Sequence, residues 1–275
     1  MSQEMSVEKG LADVTDTMTT NALLTSLKNV RRMARNALPD QPPDFSTFVS
    51  SPELIAQDVA APRSELERIF YAHKGRLIHK WTHYFEIYEA HLSQYRNTTV
   101  RMLEIGVSQG GSLELWRAYL GSKATIFGVD IDEQCAGRVD APNQVRIGSQ
   151  DDPEFLKRVV AEMGGVDIVL DDGSHVAEHQ IASYNALFPL LREGGLYMIE
   201  DLHTSYWRSF SGGYRRRGAC IEFIKDIVDD MHGWYHAHPA RTPSKDQVGA
   251  VHMYDSLAVL EKRVQSRPRR TTAPV

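Results

Sequence analysis

Cysteine is nearly absent from this chain. Only Cys135 and Cys220 carry a thiol among 275 residues, too few for a disulfide framework or a cysteine zinc site. An excess of positive charge is also missing: 31 Lys+Arg stand against 36 Asp+Glu, a formal net charge of -5. Nucleic-acid binding usually leaves a basic footprint, so that class is disfavoured. No uninterrupted apolar run approaches the roughly 18 residues of a membrane span. The start MSQEMSVEKG lacks the basic-then-apolar layout of a signal peptide. There is no internal repeat. What is present is an ordinary mixture, 42% hydrophobic and 24% charged, sized for one domain of about 200–250 residues with an N-terminal extension. The expectation is a cytoplasmic α/β enzyme that engages neither nucleic acid nor membrane.

The ends carry the least pattern. Residues 1–60 read as an extension, with one amphipathic helix from Asn21 to Leu38, where Leu24, Leu27, Val30, Met33 and Ala34 fall near helical spacing. That helix is a candidate dimerisation or lid element, through which the chain would form a homo-oligomer. Pro39, Pro42 and Pro43 then break any helix. Residues 263–275, with Arg267, Arg269 and Arg270, read as a solvated basic tail.

Between the ends, strands and helices alternate. Apolar runs at 99–105, 124–130, 144–147, 166–170 and 195–199 predict five strands, with helices at 112–120, 153–163 and 179–191. Such alternation predicts a mostly parallel sheet with helices on both faces. Runs at 248–254 and 257–261 flank Asp255-Ser256 and predict a closing antiparallel pair. Residues 61–98 read as an aromatic-rich helical cap over the carboxyl edge of the sheet, ahead of a core domain spanning 99–262.

In an open α/β sheet, ligands bind beyond the carboxyl ends of the strands, and the loops there are informative. Glu104-Ile-Gly106-Val-Ser-Gln-Gly110-Gly111-Ser112 follows the first strand. The spacing of Gly106 and Gly110 is not G-x-G-x-x-G, which disfavours a nicotinamide dehydrogenase. Asp130 ends the second strand, where a carboxylate can accept two ribose hydroxyls. Ser149 and Gln150 end the third, placed for an adenine edge. Asp171-Asp172-Gly173-Ser174-His175 and Glu200-Asp201 end the fourth and fifth. Carboxylates gathered at one edge repel unless a cation neutralises them, and oxygen ligands select a hard ion such as Mg²⁺.

With these loops in this order, the chain resembles the class I S-adenosylmethionine (SAM)-dependent methyltransferases, with their Rossmann-like fold. More narrowly it resembles the metal-dependent macrolide sugar O-methyltransferases of the mycinamicin and tylosin type, and the related cephalosporin-hydroxylase family. The resemblance runs from about Lys74 to Lys262. It implies cofactor binding by Glu104, Gly106, Gly110, Ser112, Asp130, Ser149, Gln150 and Asp171, and Mg²⁺ binding by Asp172, Glu200 and Asp201. It leaves open which of Asp171 and Asp172 takes the metal, and it implies His175 as general base. The implied reaction is methyl transfer from SAM to a hydroxyl of a sugar in a glycosylated natural product or polysaccharide. A SAM-binding protein without methyl transfer is the alternative. Ser108 departs from the family's middle glycine, which is tolerable if its backbone keeps φ < 0.

Other groups admit further readings. His175 and His179 form an H-x-x-x-H spacing, but Val176 stands where H-E-x-x-H needs glutamate, which disfavours zinc. His203, Tyr206 and Trp207 are placed to stack on a sugar ring or to pack against the cap. Arg215 to Arg217 read as a solvated turn, His73-Lys74-Gly75 as a possible approach to the cofactor, and Cys220 as a buried helix residue.

Overall fold

The computed structural model describes residues 48–273. The Asn21–Leu38 helix and the prolines after it lie outside the described residues. Seven strands form one sheet: β1 Arg101–Ile105, β2 Thr125–Asp130, β3 Gln144–Ile147, β4 Val166–Asp171, β5 Leu191–Ile199, β6 Val248–Met253 and β7 Ala258–Lys262. Their spatial order is β3-β2-β1-β4-β5-β7-β6. The first five strands run parallel, and β7 is antiparallel to both β5 and β6.

Strand side chains alternate between faces, and the two halves of the core follow from that. Leu103, Val169, Tyr197 and Leu260 join the helices α5 Pro153–Met163, α6 Ala177–Leu187 and α7 Cys220–Met231 in one apolar cluster. Met102, Ile168, Leu170, Met198 and Val259 join α2 Glu65–Ala72, α3 Tyr84–Leu92 and α4 Gly111–Leu120 in the other. A short helix α1, Pro52–Ala60, precedes them and buries none of its residues. Helix α5 has clear local punctuation. Asp152 accepts from the Glu154 and Phe155 N–H groups, Pro153 occupies the first turn, and Gly164 closes the helix at φ 74°.

The segment 61–98 differs from the expected cap. Its helices lie on a sheet face, because Tyr84, Phe85, Tyr88 and Leu92 are all nearly inaccessible and join the core. The non-helical stretch between α2 and α3 lines the cavity at the carboxyl edge with Leu77 to Trp81, and from α3 only the Tyr84 and Tyr88 hydroxyls reach that edge. Beyond Lys262, residues 263–273 form no regular element. Among the described residues no helix is long and apolar enough to cross a membrane.

Candidate active site

A cavity of about 620 Å³ opens at the carboxyl ends of β1 to β5. Two glycines shape its floor. Gly106 has φ 93°, and a Cβ there would lie 2.1 Å from the Asp172 carbonyl oxygen. Gly110 has φ 85° and caps α4, so the helix can start directly at the cavity with its N–H groups facing inward. Ser108 lies between them at φ 49°. It therefore adopts the left-handed conformation, contrary to the expected negative φ, and carries the strain a glycine would have avoided.

Asp130 faces this loop. Its Oδ2 accepts from the Val107 and Ser108 N–H groups at 2.8 and 3.1 Å, and Oδ1 accepts from Asp132 N–H at 2.9 Å. Burial would raise its pKa, but these donors hold it below the ordinary carboxylate value. Gln150 braces the far wall: its Nε2 donates to Asp171 at 3.2 Å and its Oε1 accepts from Ser174 N–H at 2.7 Å. Ser149 lines the same wall and donates to Asp151.

Three expected cofactor residues are not on the cavity wall: Gly110, at the start of α4, and the buried acids Glu104 and Asp171. Glu104 is fully buried beneath the loop, where Ser112 Oγ and Trp116 Nε1 donate to it at 2.8 and 3.1 Å. Burial lifts it to about 7, against the pull of Lys80. Ser112 itself lines the cavity. Asp171 is fully buried on the other side of the sheet, accepting from Ser183 at 2.5 Å and from Tyr197 at 3.1 Å. Adjacent residues on a strand end point to opposite faces, so of Asp171 and Asp172 it is Asp172 that enters the cavity.

The acidic cluster is organised by a residue that the sequence reading missed. Lys80, 2% exposed, donates to Asp172 Oδ2 at 2.5 Å and to the two Glu200 oxygens at 2.8 and 2.9 Å. Burial alone would lower its pKa, but Asp172 and Glu200 more than reverse this and hold it well above the ordinary lysine value. Tyr88 donates to Glu200 Oε1 at 2.5 Å. Burial and the Asp172 charge push Glu200 up, against Lys80 and Tyr88. Asp201 is anchored in the same way: Trp81 Nε1 and Tyr84 OH donate to its Oδ1 at 3.1 and 2.9 Å.

Each anchored aspartate leaves one oxygen directed inward. Asp172 Oδ1 and Asp201 Oδ2 lie 3.9 and 3.5 Å from His175 Nε2, and one polar atom of each of the three residues lies within 4.8 Å of the others. His175 and Asp201 both sit at positive φ, 58° and 55°, strain of the kind that functional sites retain. The inward oxygens of Asp172 and Asp201 converge with the His175 nitrogen. The donor set therefore fits a hard ion, with Asp172 and Asp201 as the carboxylates that could hold it. Glu200, expected as a third ligand, lies beside this group and accepts from Lys80 and Tyr88.

The remaining expected groups separate. His179 turns to Ser174 Oγ, 2.9 Å away, and to Asp151, so no H-x-x-x-H metal pair forms. His73 bonds to Arg76 and pairs with Glu114. It does not approach the cavity; Leu77 to Trp81 do so instead. His203 packs edge-on against both Trp81 and Trp207. Arg215 to Arg217 are exposed, and Cys220 is buried in α7.

The sheet order, the glycine loop after β1, the acid at the end of β2 and the acidic edge after β4 and β5 together define a class I methyltransferase fold. Residues 103–202 match the family described as Methyltransferase domain, so the chain carries such a domain. It is 36% identical over 231 residues to the 8-demethyl-8-(2-methoxy-alpha-L-rhamnosyl)-tetracenomycin-C 3'-O-methyltransferase of Streptomyces olivaceus, covering 79% of this chain and 59% of that protein. It is 37% identical over 217 residues to the mycinamicin VI 2''-O-methyltransferase of Micromonospora griseorubida, covering 72% and 52%. Among solved structures, the MycE methyltransferase from the mycinamycin biosynthetic pathway, in complex with Mg, SAH and mycinamycin VI, superposes with a TM-score of 0.63 at 30% identity. That match covers 79% of this chain and 63% of MycE. The chain thus spans about half, and at most 59%, of the length of the curated relatives it matches.

Proposed function

We propose that this chain transfers a methyl group from SAM to a sugar hydroxyl of a small glycosylated natural product, with a divalent cation such as Mg²⁺ in the acidic pocket. The observation that carries the reading is the convergence of Asp172 Oδ1, His175 Nε2 and Asp201 Oδ2 at the mouth of the glycine-loop cavity. The names of the similar proteins, O-methyltransferases acting on rhamnosyl and macrolide glycosides, support the acceptor class.

When bound, SAM supplies an activated methyl group, and the cation supplies positive charge that polarises a hydroxyl. The residues of the chain do the rest. Asp130 and the N–H groups at the start of α4 hold the cofactor, with Gln150 and Ser149 closing the adenine end. Asp172 and Asp201 hold the cation, each fixed by a bond to its outer oxygen. Lys80 and Tyr88 keep Glu200 neutralised beneath them. His175 presents Nε2 to the cavity, the atom placed to take the hydroxyl proton. The sugar hydroxyl is a weak nucleophile near neutral pH, and a histidine is matched to remove its proton there. Such chemistry fits a cytoplasmic enzyme.

The test is His175→Ala. The turnover number should fall by about 10²–10⁴-fold, while SAM affinity by calorimetry and Mn²⁺ binding by paramagnetic resonance stay near the parent values. Near-parent turnover would remove His175 from proton transfer.

A further inference from the structure

A second cluster of metal-binding side chains lies away from the cavity, where α3 meets the closing strands. One atom each from His91, His252 and Glu261 lies within 4.8 Å of the others. Three separate elements supply them: the last turn of α3, strand β6 and strand β7. The strand pairing explains why two of them meet. His252 stands opposite Val259, so Glu261, two residues on, is its diagonal neighbour on the same face. His252 Nε2 and Glu261 Oε1 are 2.9 Å apart. The His91 and His252 rings are 4.7 Å apart at 70°. The Tyr254 hydroxyl, 2.9 Å from His91 Nε2, adds a fourth polar group.

We propose that His91, His252 and Glu261 form a second, structural metal site that takes a transition-metal dication of the zinc class. Two imidazoles and one carboxylate suit Zn²⁺ and its neighbours, whereas the all-oxygen preference of Mg²⁺ does not match them. A tetrahedral ion about 2.0–2.1 Å from each ligand needs ligand atoms roughly 3.4 Å apart. Side-chain rotation supplies the difference, because all three residues are only partly buried. The bound ion would pin the β6–β7 hairpin to α3. That hairpin touches the cavity rim: Ser256 O accepts from Tyr84 OH at 3.0 Å and from Leu202 N–H at 2.8 Å. The staple would thus hold Leu202, which follows Asp201, and Tyr84, which bonds to the Asp201 carboxylate.

Co²⁺ serves as the probe, because its visible absorption reports a tetrahedral site with nitrogen ligands. The full chain is titrated in saturating Mg²⁺, alongside Asp201→Asn, Glu261→Gln and His91→Ala/His252→Ala. The expected result is one Co²⁺ equivalent with a tetrahedral band that Asp201→Asn keeps. The double variant should lose it, and Glu261→Gln should weaken it at least tenfold. Zn²⁺ at about a hundredfold excess over Kd should raise Tm by roughly 5–10 °C in the parent and not in the double variant. Thermal unfolding without metal establishes that each variant folds, and Glu261→Gln carries the test if the double variant does not. A parent chain without the band overturns the proposal. So does a band lost in Asp201→Asn but kept in Glu261→Gln.

Discussion

Replacing Lys80 with Met isolates the role of one buried charge. The methionine keeps much of the lysine stem and removes only the ammonium that bonds to Asp172 and to both oxygens of Glu200. Breaking a buried ion pair by deleting one partner costs about 3–5 kcal/mol, since the other charge is left uncompensated. The two partners contribute unequally. Glu200 is 2% exposed and retains only Tyr88, whereas Asp172 is 23% exposed and water can reach it. The lower end, about 3 kcal/mol, is therefore expected. For a chain of this size that lowers Tm by roughly 6–12 °C. The assay is urea and thermal unfolding in parallel, with and without a divalent cation. Mg²⁺ should restore more stability to the variant than to the parent, because it replaces the missing positive charge. A loss below about 1 kcal/mol with the same Mg²⁺ dependence in both chains would show that Lys80 does not hold the cluster together.

Three further substitutions follow from the site. Asp130→Ala should weaken SAM binding by about 1.5–3 kcal/mol; unchanged affinity by calorimetry in the folded variant would take Asp130 out of the cofactor site. Asp171→Asn should do the reverse, lowering Tm because it disturbs three buried hydrogen bonds while leaving SAM affinity close to the parent. A Tm within about a degree of the parent, with a large loss of affinity, would return Asp171 to the cavity. Glu104 titrates at about 7 in the folded chain against an ordinary 4.5. The folded chain thus keeps a proton that the unfolded chain has released, and stability from this group falls as pH rises from about 4.5 to 7. Glu104→Gln should flatten that part of the stability profile; an unchanged slope would show that Glu104 is already ionised.

The strands were legible because each is a short apolar run bounded by turn signals, and β3 and α5 fall where the sequence predicts them. Strand β5 begins four residues earlier than expected. The expected strand starts at Gly195, yet the observed one already includes Leu191 to Gly194, with Gly194 at φ 78°. Helix α6 begins at Ala177, ahead of the expected His179, because the chain turns at the left-handed His175 and is already helical two residues later. The polar clusters at the strand ends were visible as clusters. Their division was not, since whether Asp171 or Asp172 enters the cavity depends on the face each strand-end residue takes. Lys80 was invisible for a different reason. Its partners lie 92 and 120 residues away, and no local pattern marks it. The same holds for Tyr84 and Tyr88, whose helical pattern signals core while their hydroxyls reach Asp201 and Glu200.

The central claim is methyl transfer that depends on a cation held at Asp172 and Asp201. It is tested most directly by measuring S-adenosylhomocysteine formation from SAM with a rhamnosylated polyketide or macrolide glycoside as acceptor, before and after chelator treatment. Acceptor-dependent product should disappear with chelator, return with Mg²⁺, and fail to return in Asp201→Asn, while SAM binding survives throughout. Acceptor-dependent turnover that continues undiminished in chelator would contradict the claim.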